Sequence, residues 1–456
     1  MSTTARPTVL PRAVLATALS SVVFAVGPGA LEANAQDPLP AHTPDATIAR
    51  ADVPDGYKWD LSPLFASDEA WEQARAKLLA EIPSLEAHRG KLADPKQLEG
   101  CLATYFRLHR DADFVALYAN LRNATSLSDP KTTTMFQRGL QAMDELTRVA
   151  AFIRSEVLSF TPQALEAAFA QEAGLGEYRA YLDNLSRRSS RVLSPDAEEA
   201  LGLLGDNLWV EIELSEVPSS VEDVYSALFT DIRWPTIEDE QDQPVQLTLP
   251  NYSRFRASPS RKVRKAAVGS LLGTLRKYEN TLAASLAGQF KLDIAFARAR
   301  KYDTALEAYL DKEGIEVAVF DNLVRTVNAQ LPLLHRYVEL RKKVMGLGDV
   351  HLYDLYVPLT PSVDTTIPFP QAREKILETL RPLGPDYGKL LAEGLEPSNG
   401  WIDLYLHADK RSGAFSLATY GPPPYVLMNY QDSLGDMSTL AHELGHALHS
   451  HLAARG

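Results

Sequence analysis

The sequence predicts a mostly α-helical protein with a small β-sheet beside its last helix, and three observations support this class. Long stretches carry apolar residues at intervals of three and four, which is helical spacing. Proline often stands where a first helical turn is expected, and its missing N–H costs nothing there. Two β-like segments, "WIDLYL" and "YVLMNY", precede the final helical run. With 45% apolar and 23% charged residues, the 456-residue chain has a globular composition.

The first 35 residues are typical of a signal peptide. Arg6 and Arg12 precede a mostly apolar run from Ala13 to Val26, and Ala33-Asn34-Ala35 offers a cleavage site of small residues. The run is shorter than the roughly 20 apolar residues that span a bilayer, although an uncleaved anchor stays open as the alternative. The sequence therefore predicts export to the periplasm or the medium, no stable membrane association after cleavage, and a linker over residues 36–55.

A series of helical runs predicts an all-α amino-terminal domain over residues 56–200. The first run opens at Ser67-Asp68-Glu69, a typical helix start, and its apolar positions fall at helical spacing. Similar runs follow, and no fixed-period repeat stands out, so a solenoid is the less favoured alternative. The first run contains Trp71, Ala74, Leu78, Ile82 and Leu85, and the later runs begin at Lys96, Lys131, Pro162 and Pro195.

Residues 201–456 form the second predicted domain. Between Val224 and Tyr252, the acidic turn "IEDEQDQP" and the alternating segment "VQLTL" predict a small hairpin. Long helices are then predicted from Ser260 to Arg300 and from Ile315 to Met345. The second of these carries apolar residues along one side, namely Phe320, Leu323, Val327, Leu331, Leu334 and Val338.

The charge balance argues against a nucleic-acid partner. The chain has 46 Lys and Arg against 59 Asp and Glu, a net charge of -13, whereas phosphate binding is driven by basic surface. The basic run over residues 260–265 is interpreted as a solvated helix face, with a polyanion site as the alternative. Cys101 is the only cysteine, which excludes an intrachain disulfide and a thiolate zinc cluster. Any metal must therefore be bound by histidine and carboxylate side chains.

The chemistry lies on the last predicted helix, within "STLAHELGHALHSHL". His442 and His446 stand one turn apart, so both imidazoles can reach one zinc ion. Glu443 on the same side can hold a metal-bound water and take its proton. With 10 His and 59 acidic residues, chance would produce this motif about 0.03 times per chain. The sequence therefore predicts a metallohydrolase site, and an amphipathic helix with a coincidental polar side is the alternative.

The other residues of this helix are assigned structural roles. Ser433 and Asp436 fit a capping box, which is favoured over a contact between Asp436 and a ligand histidine. His449 rises about 10 Å along the axis from His442, which makes it a poor third ligand, and His451 is interpreted as incidental. Opposite the histidines lies an apolar stripe that can enter a core, comprising Leu440, Leu444, Ala447 and Leu448, with Met437 and Leu452 nearby.

Three consecutive blocks resemble the oligoendopeptidase F family of thimet-oligopeptidase-like zinc peptidases: "KRSGAFS" from Lys410, "PYVLMNY" from Pro424 and "DMSTLAHELGHALHS" from Asp436. The segment "YKWDLSPLFASDEAWE" is similar to the start of those enzymes, so the resemblance covers nearly everything between Gly56 and Ser450. It implies a mostly α, two-lobed helical zincin-like metallopeptidase with a small β-sheet beside the active-site helix. Its channel would admit oligopeptides and exclude folded proteins.

The resemblance also implies roles for five residues. It makes His442 and His446 ligands of one Zn²⁺ per chain in a complete site, and Glu443 the general base of an endopeptidase. Gly413 and Ala414 match a strand region beside the cleft, so backbone pairing with an extended substrate is expected, with a purely structural strand as the alternative. The family's third ligand, a glutamate on the following helix, and its oxyanion-stabilising residues would lie beyond Gly456. The chain as given is therefore expected to be truncated shortly after HExxH and to be inactive.

Two other interpretations stay open. A non-catalytic peptide-binding or merely structural helical protein would keep the histidine pair as a relic. A carboxypeptidase-type relative is the less favoured enzyme, because only an endopeptidase cuts peptides blocked at both ends. Without a third ligand and a following helix, residues 36–456 are expected to bind substoichiometric zinc and to leave blocked peptides uncut. They are also expected to aggregate through an uncovered stripe of Leu440, Leu444 and Leu448.

Overall fold

The structure is a computed structural model that describes residues 42–194, 220–360 and 366–454, together with residues 40, 197, 200 and 201. The chain divides into two units, residues 1–41 and residues 42–456, and the elements described below belong to the second unit. The predicted signal peptide over residues 1–35 and most of the run that begins at Pro195 lie outside the described residues.

Fourteen α-helices and five β-strands lie within the described ranges. The amino-terminal helices are α1 (Asp68–Glu81), α2 (Pro95–Ala124), α3 (Pro130–Val157), α4 (Pro162–Gln171) and α5 (Arg179–Arg187). Next come α6 (Ser220–Asp231), β1 (Thr236–Glu238), β2 (Pro244–Gln246), α7 (Leu249–Arg256), α8 (Arg261–Lys277), α9 (Glu279–Ala299), α10 (Ala305–Lys312) and α11 (Val317–Val344). The last elements are α12 (Phe369–Thr379), α13 (Pro385–Gly394), β3 (Ile402–Tyr405), β4 (Phe415–Leu417), β5 (Tyr425–Tyr430) and α14 (Leu434–Ala453). Short 3-10 helices cover Arg50–Asp52, Asp55–Tyr57, Ile82–His88, Ala173–Tyr178, Ser189–Arg191, Leu352–Asp354, Arg381–Leu383 and Pro397–Asn399.

The predicted mostly helical fold class is confirmed, and helices α1 to α4 begin at side-chain caps. The capping oxygen accepts a hydrogen bond from a backbone N–H of the first turn, which would otherwise lack a partner. Proline follows three of the four caps, as the sequence pattern predicts. The capping residues of α1 to α4 are Ser67, Asp94, Asp129 and Thr161.

Two element boundaries in the middle of the chain differ from the prediction. Helix α6 ends at Asp231, so the region after Val224 begins as helix, and the predicted hairpin is confined to the antiparallel pair β1 and β2. The helix predicted from Ser260 to Arg300 is divided into α8 and α9. Tyr278 leaves helical geometry between them, with φ of -107° and ψ of 15°.

Helix α11 confirms the predicted span, but its apolar side is not buried by the described residues. Arg341 is the buried residue of this helix. Helical spacing identifies a face that can pack, but it does not determine which element covers that face. The exposed side chains, at 36–59% exposure, include Phe320, Leu323, Val327, Leu331 and Leu334.

Two hydrophobic cores meet at a three-stranded sheet of order β3-β5-β4, in which β3 runs parallel and β4 antiparallel to β5. The first core lies among α1 to α5 and parts of α9 and α10, and the second lies among α12, α13, α14 and β3. Tyr425 and Leu427 of β5 belong to the first core, whereas Val426, Met428 and Tyr430 belong to the second. Alternate side chains of a strand point to opposite faces, so β5 is buried on both sides.

The predicted small sheet beside the final helix is therefore confirmed. The division into domains at residue 200 stays a prediction. None of the helices in the described ranges is both long enough and apolar enough to cross a membrane.

Candidate active site

The predicted active-site helix is α14, and it begins at the predicted cap. Ser433 Oγ accepts a hydrogen bond from the N–H of Asp436 at 3.1 Å, and Asp436 Oδ2 accepts one from the N–H of Ser433 at 3.1 Å. The same carboxylate oxygen accepts hydrogen bonds from the Gln431 N–H at 3.0 Å and from the Ser433 hydroxyl at 2.6 Å. These contacts form a capping box and lie at the helix start, which confirms Asp436 as a cap.

One face of α14 is buried against the sheet and against α12 and α13. Leu440, Leu444 and Leu448 are fully buried, whereas Leu452 is 47% exposed. The expectation that the three buried leucines would be uncovered is therefore wrong. Elements that precede α14 in the chain cover this stripe, and aggregation through it is no longer expected.

The opposite face of α14 carries the predicted metal ligands. The Nε2 atoms of His442 and His446 lie 3.1 Å apart, and the two rings are nearly perpendicular at 82°. Both side chains are exposed, so a metal ion can approach both nitrogens from solvent. His449 is exposed further along the helix, and the ring of His451 packs 5.3 Å from that of Trp401. The structure thus brings together His442 and His446 and leaves the other two histidines apart.

Glu443 lies on the flank between the histidine face and the buried stripe. The helix turns about 100° per residue, which places Glu443 beside His442 on this flank. Its side chain is only 9% exposed, in contrast to the two histidines. A general base has to reach a water molecule held next to the metal, and the flank beside His442 suits that requirement.

The histidine pair fits a zinc ion but does not complete its coordination. Two imidazole nitrogens bound to a tetrahedral zinc ion at about 2.0–2.1 Å lie about 3.3 Å apart, close to the 3.1 Å found here. Zinc sites ordinarily have at least three protein ligands. Among the described residues, no group of three or more His, Cys, Asp or Glu side chains could hold a metal ion. Within the described part of the chain, the candidate ligand set is therefore the His442–His446 pair.

Gly413 and Ala414, the predicted substrate-binding residues, lead into the edge strand β4. Within the described part of the sheet, β4 pairs with β5 alone, so its outer edge can accept another extended chain. Gly413 has a φ of +86°, which favours glycine, and a Cβ atom built there would meet no atom within 4 Å. Ala414 packs against the second core, which contains the buried stripe of α14. Both residues therefore lie at the sheet edge that contacts the active-site helix.

A buried ionic cluster fixes the loop between β3 and β4. Lys410 Nζ lies 2.7 Å from Asp403 Oδ1 and donates hydrogen bonds to the carbonyl oxygens of Asp403 and Tyr405. Arg50, from the amino-terminal segment, lies 2.6 Å from the second oxygen of the same carboxylate. Burial raises the pKa of Asp403, but the charges of Lys410 and Arg50 outweigh it and lower the pKa below its ordinary value. Burial lowers the pKa of Lys410.

Neither this cluster nor a role for Asn429 is predicted from the sequence. The Asn429 side-chain amide donates hydrogen bonds to the carbonyl oxygens of Arg411 and Gly413, at 2.9 and 2.8 Å. An asparagine within the otherwise apolar and aromatic segment "YVLMNY" is a signal that could have indicated a polar role. The contact of Arg50 with Asp403 has no such local signal, because the two residues are far apart in the sequence.

These elements define a mostly helical peptidase fold in which an HExxH helix packs on a small mixed sheet. Oligoendopeptidase-F from Enterococcus faecium has the same fold, with a TM-score of 0.61 at 28% identity over 72% of this chain and 60% of that chain. PZ peptidase A, at 17% identity, is similar in fold alone, with a TM-score of 0.57 over 84% of this chain and 62% of that chain.

Residues 254–456 match the model of peptidase family M3. Two relatives of this chain confirm its resemblance to the oligoendopeptidase F family. Oligopeptidase PepF of Bacillus subtilis is 36% identical over 409 residues, which cover 88% of this chain and 58% of that protein. An oligoendopeptidase F homolog of Lactococcus lactis is 29% identical over 403 residues, which cover 88% of this chain and 65% of that protein. The chain thus spans 58–65% of the length of these two relatives.

Proposed function

We propose that this protein is a zinc-dependent metalloendopeptidase that hydrolyses oligopeptides. The observation that carries the proposal is the His442–His446 pair, whose Nε2 atoms lie 3.1 Å apart with Glu443 on the adjacent flank. The pair lies within the residues that match the model of peptidase family M3. The names of the relatives, oligopeptidase and oligoendopeptidase, support a peptide as the substrate.

The proposed roles follow from the chemistry of each group. His442 and His446 would hold the zinc ion, which when bound would supply Lewis-acid chemistry for peptide hydrolysis. Glu443 accepts a proton as water attacks the carbonyl carbon, and it passes this proton to the leaving amine. The outer edge of β4, entered through Gly413 and Ala414, binds the extended substrate by main-chain hydrogen bonds. The products are one carboxylate and one amine per bond cut.

We also propose that residues 36–456 alone bind zinc weakly and leave peptides uncut. Two neutral imidazoles leave the charge of the ion uncompensated, whereas catalytic zinc sites usually have three protein ligands. Among the described residues, only two candidate ligands come together. This arrangement favours a second candidate function, in which the protein binds peptides but does not cleave them. The predicted leader supports a further proposal, that the protein is exported and leaves no stable membrane anchor after cleavage.

Zinc content and cleavage of a peptide blocked at both ends test these proposals. Zinc would be measured by mass spectrometry after dialysis, and cleavage would be measured with an internally quenched peptide in the presence and absence of a chelator. For residues 36–456 alone, we expect substoichiometric zinc and no cleavage. His446→Ala should abolish zinc binding, while His449→Ala, a matched change on the same helix, should leave it unchanged.

Each other outcome has a distinct meaning. One zinc ion per chain with chelator-sensitive cleavage would establish the endopeptidase and overturn the weak-site proposal. Peptide binding without turnover would support the second candidate. Cleavage confined to peptides with a free carboxyl terminus would indicate a carboxypeptidase. Zinc content unaffected by His446→Ala would refute the metal site.

A further inference from the structure

The pairing between β4 and β5 continues beyond its last backbone pair through one side chain. The antiparallel register places Leu417 opposite Tyr425 and Phe415 opposite Leu427, so Gly413 lies opposite Asn429. Gly413 precedes β4, whose backbone pairs with β5 begin at Phe415. The side-chain nitrogen of Asn429 donates hydrogen bonds to the Gly413 carbonyl at 2.8 Å and the Arg411 carbonyl at 2.9 Å.

The orientation of the Asn429 amide follows from its partners. Both partners are carbonyl oxygens, which only accept hydrogen bonds, so the amide nitrogen must face them. A carboxamide nitrogen carries two N–H groups, and this arrangement uses both. No carboxylate could make these contacts, because an ionised carboxylate has no hydrogen to donate.

The same turn is anchored on its other side to the end of α2. The Arg411 N–H donates to the Ala124 carbonyl at 2.8 Å, and the Arg411 guanidinium donates to the Asn120 side-chain oxygen at 3.2 Å. Asn429 thus ties the turn to β5 through two hydrogen bonds. Helix α14, which carries the histidine pair, packs on β5. Asn429 therefore connects the segment that leads into the edge strand to the strand on which this helix packs.

We propose that Asn429 is a positioning residue for peptide binding. It holds residues 411–413 so that the outer edge of β4 is aligned with the His442–His446 face of α14. This inference rests on the proposed function, because it assumes that the extended substrate pairs with that edge. The partner is an oligopeptide in extended conformation, recognised through its main-chain N–H and C=O groups.

Asn429→Asp tests this role with almost no change in side-chain size. The substitution replaces the amide nitrogen, with its two N–H donors, by one carboxylate oxygen that faces two carbonyl oxygens. Asn399→Asp is the matched control, because the Asn399 amide also donates to a backbone carbonyl, that of Glu393, in a turn outside the sheet. Asn429→Ala is the second variant, which removes the donors without adding a charge and serves if the aspartate variant does not fold.

Two measurements are needed. The first is hydrogen exchange of the segment 411–418 by mass spectrometry, with residues 440–452 as the internal reference. The second is the affinity of a fluorescein-labelled, doubly blocked peptide of about ten residues, a length that exceeds the usual strand. Binding would be measured in EDTA so that no cleavage occurs. A version of this peptide in which all main-chain amides are N-methylated has no N–H donor on either edge, so it cannot pair with β4 and should not bind.

We expect exchange in 411–418 to accelerate in both Asn429 variants, and the Kd of the peptide to rise about tenfold or more. Asn399→Asp should leave both quantities unchanged. Unaltered exchange in 411–418 would overturn the positioning role. Faster exchange with an unaltered Kd would overturn it too, because peptide binding would then not depend on this edge. Failure of the unmodified protein to bind the peptide would instead refute the proposed peptide-binding function, and the inference with it.

Discussion

Lys410 and Asp403 form a salt bridge of 2.7 Å in which both side chains are almost completely buried, at 0% and 2% exposure. Arg50 contacts the other oxygen of the same carboxylate at 2.6 Å. The three residues join the amino-terminal segment, strand β3 and the loop that leads to β4. The position of the candidate substrate-binding edge therefore depends on a charge cluster within the protein.

Replacing Lys410 by Met should strongly destabilise the protein. The substitution preserves much of the side-chain volume but leaves the Asp403 carboxylate buried with one partner fewer. Removing one member of a buried ion pair typically costs about 3–5 kcal/mol. The free energy of unfolding, measured by denaturant titration, should fall by this amount.

Lys389→Met is the matched control for this prediction. Lys389 and Asp386 form an ion pair of 3.7 Å with both side chains largely exposed, and such pairs contribute at most about 1 kcal/mol. An equally small loss for Lys410→Met would contradict a structural role for the buried cluster.

Helix α14 shows what the sequence could predict. Its cap, its apolar stripe and its histidine face are each defined by residues within about one or two helical turns of one another. These features can therefore be recognised in the sequence. Ser433 and Asp436 form the expected capping box, and Leu440, Leu444 and Leu448 are buried as the spacing indicates. Local periodicity therefore identified the residues of the candidate site and the faces on which they lie.

Features that depend on distant parts of the chain could not be predicted in this way. The stripe of α14 was expected to need a following helix, yet preceding elements cover it, and the apolar side of α11 is exposed although its periodicity is similar. Periodicity specifies a face without specifying its partner. Strand β4 has only three residues, too few for an alternating pattern to be recognised.

The contribution of the Asp354 carboxylate to stability can be tested by varying the pH. Its buried carboxylate lies 2.9 Å from Arg261 and 2.8 Å from Arg264. Burial raises the pKa of Asp354, but hydrogen bonds from Arg261, the His351 N–H and Arg264 outweigh it and lower the pKa to about 2. Because the pKa is lower in the folded state, this group stabilises the fold above about pH 4 and loses its effect as the pH falls through the folded value.

Between pH 5 and pH 2, the unfolding free energy of the unmodified protein should therefore fall by roughly 2 kcal/mol more than that of Asp354→Asn. The asparagine variant lacks the titrating group, so the difference between the two proteins isolates its contribution. Asp386→Asn changes an exposed carboxylate and should follow the unmodified protein. Parallel pH profiles for Asp354→Asn and the unmodified protein would contradict the lowered pKa.

Export should remove the first 35 residues. The segment Ala33-Asn34-Ala35 provides the small residues that the cleaving peptidase requires, so the mature protein should begin at Gln36. Amino-terminal sequencing of exported material measures this directly. Ala35→Arg should block processing, whereas Ala46→Arg, in the predicted linker, should not. Exported protein that retains residues before Ala13 would rule out the cleavage.

Glu443→Gln should separate metal binding from proton transfer. The amide occupies nearly the same space as the carboxylate but cannot accept a proton from water, so hydrolysis should fall by about 10² to 10⁴-fold in any preparation that cleaves blocked peptides. Zinc affinity should stay within about twofold of the unmodified protein, because the His442–His446 pair supplies the metal contacts. Glu374→Gln, an exposed change on α12, controls for the loss of one negative charge. Cleavage assays and zinc competition titrations on the same samples provide the comparison, with His446→Ala as the variant that loses both properties. If Glu443→Gln retained most of the cleavage, another residue would have to be the base; if it lost zinc as completely as His446→Ala, Glu443 would be acting as a ligand instead.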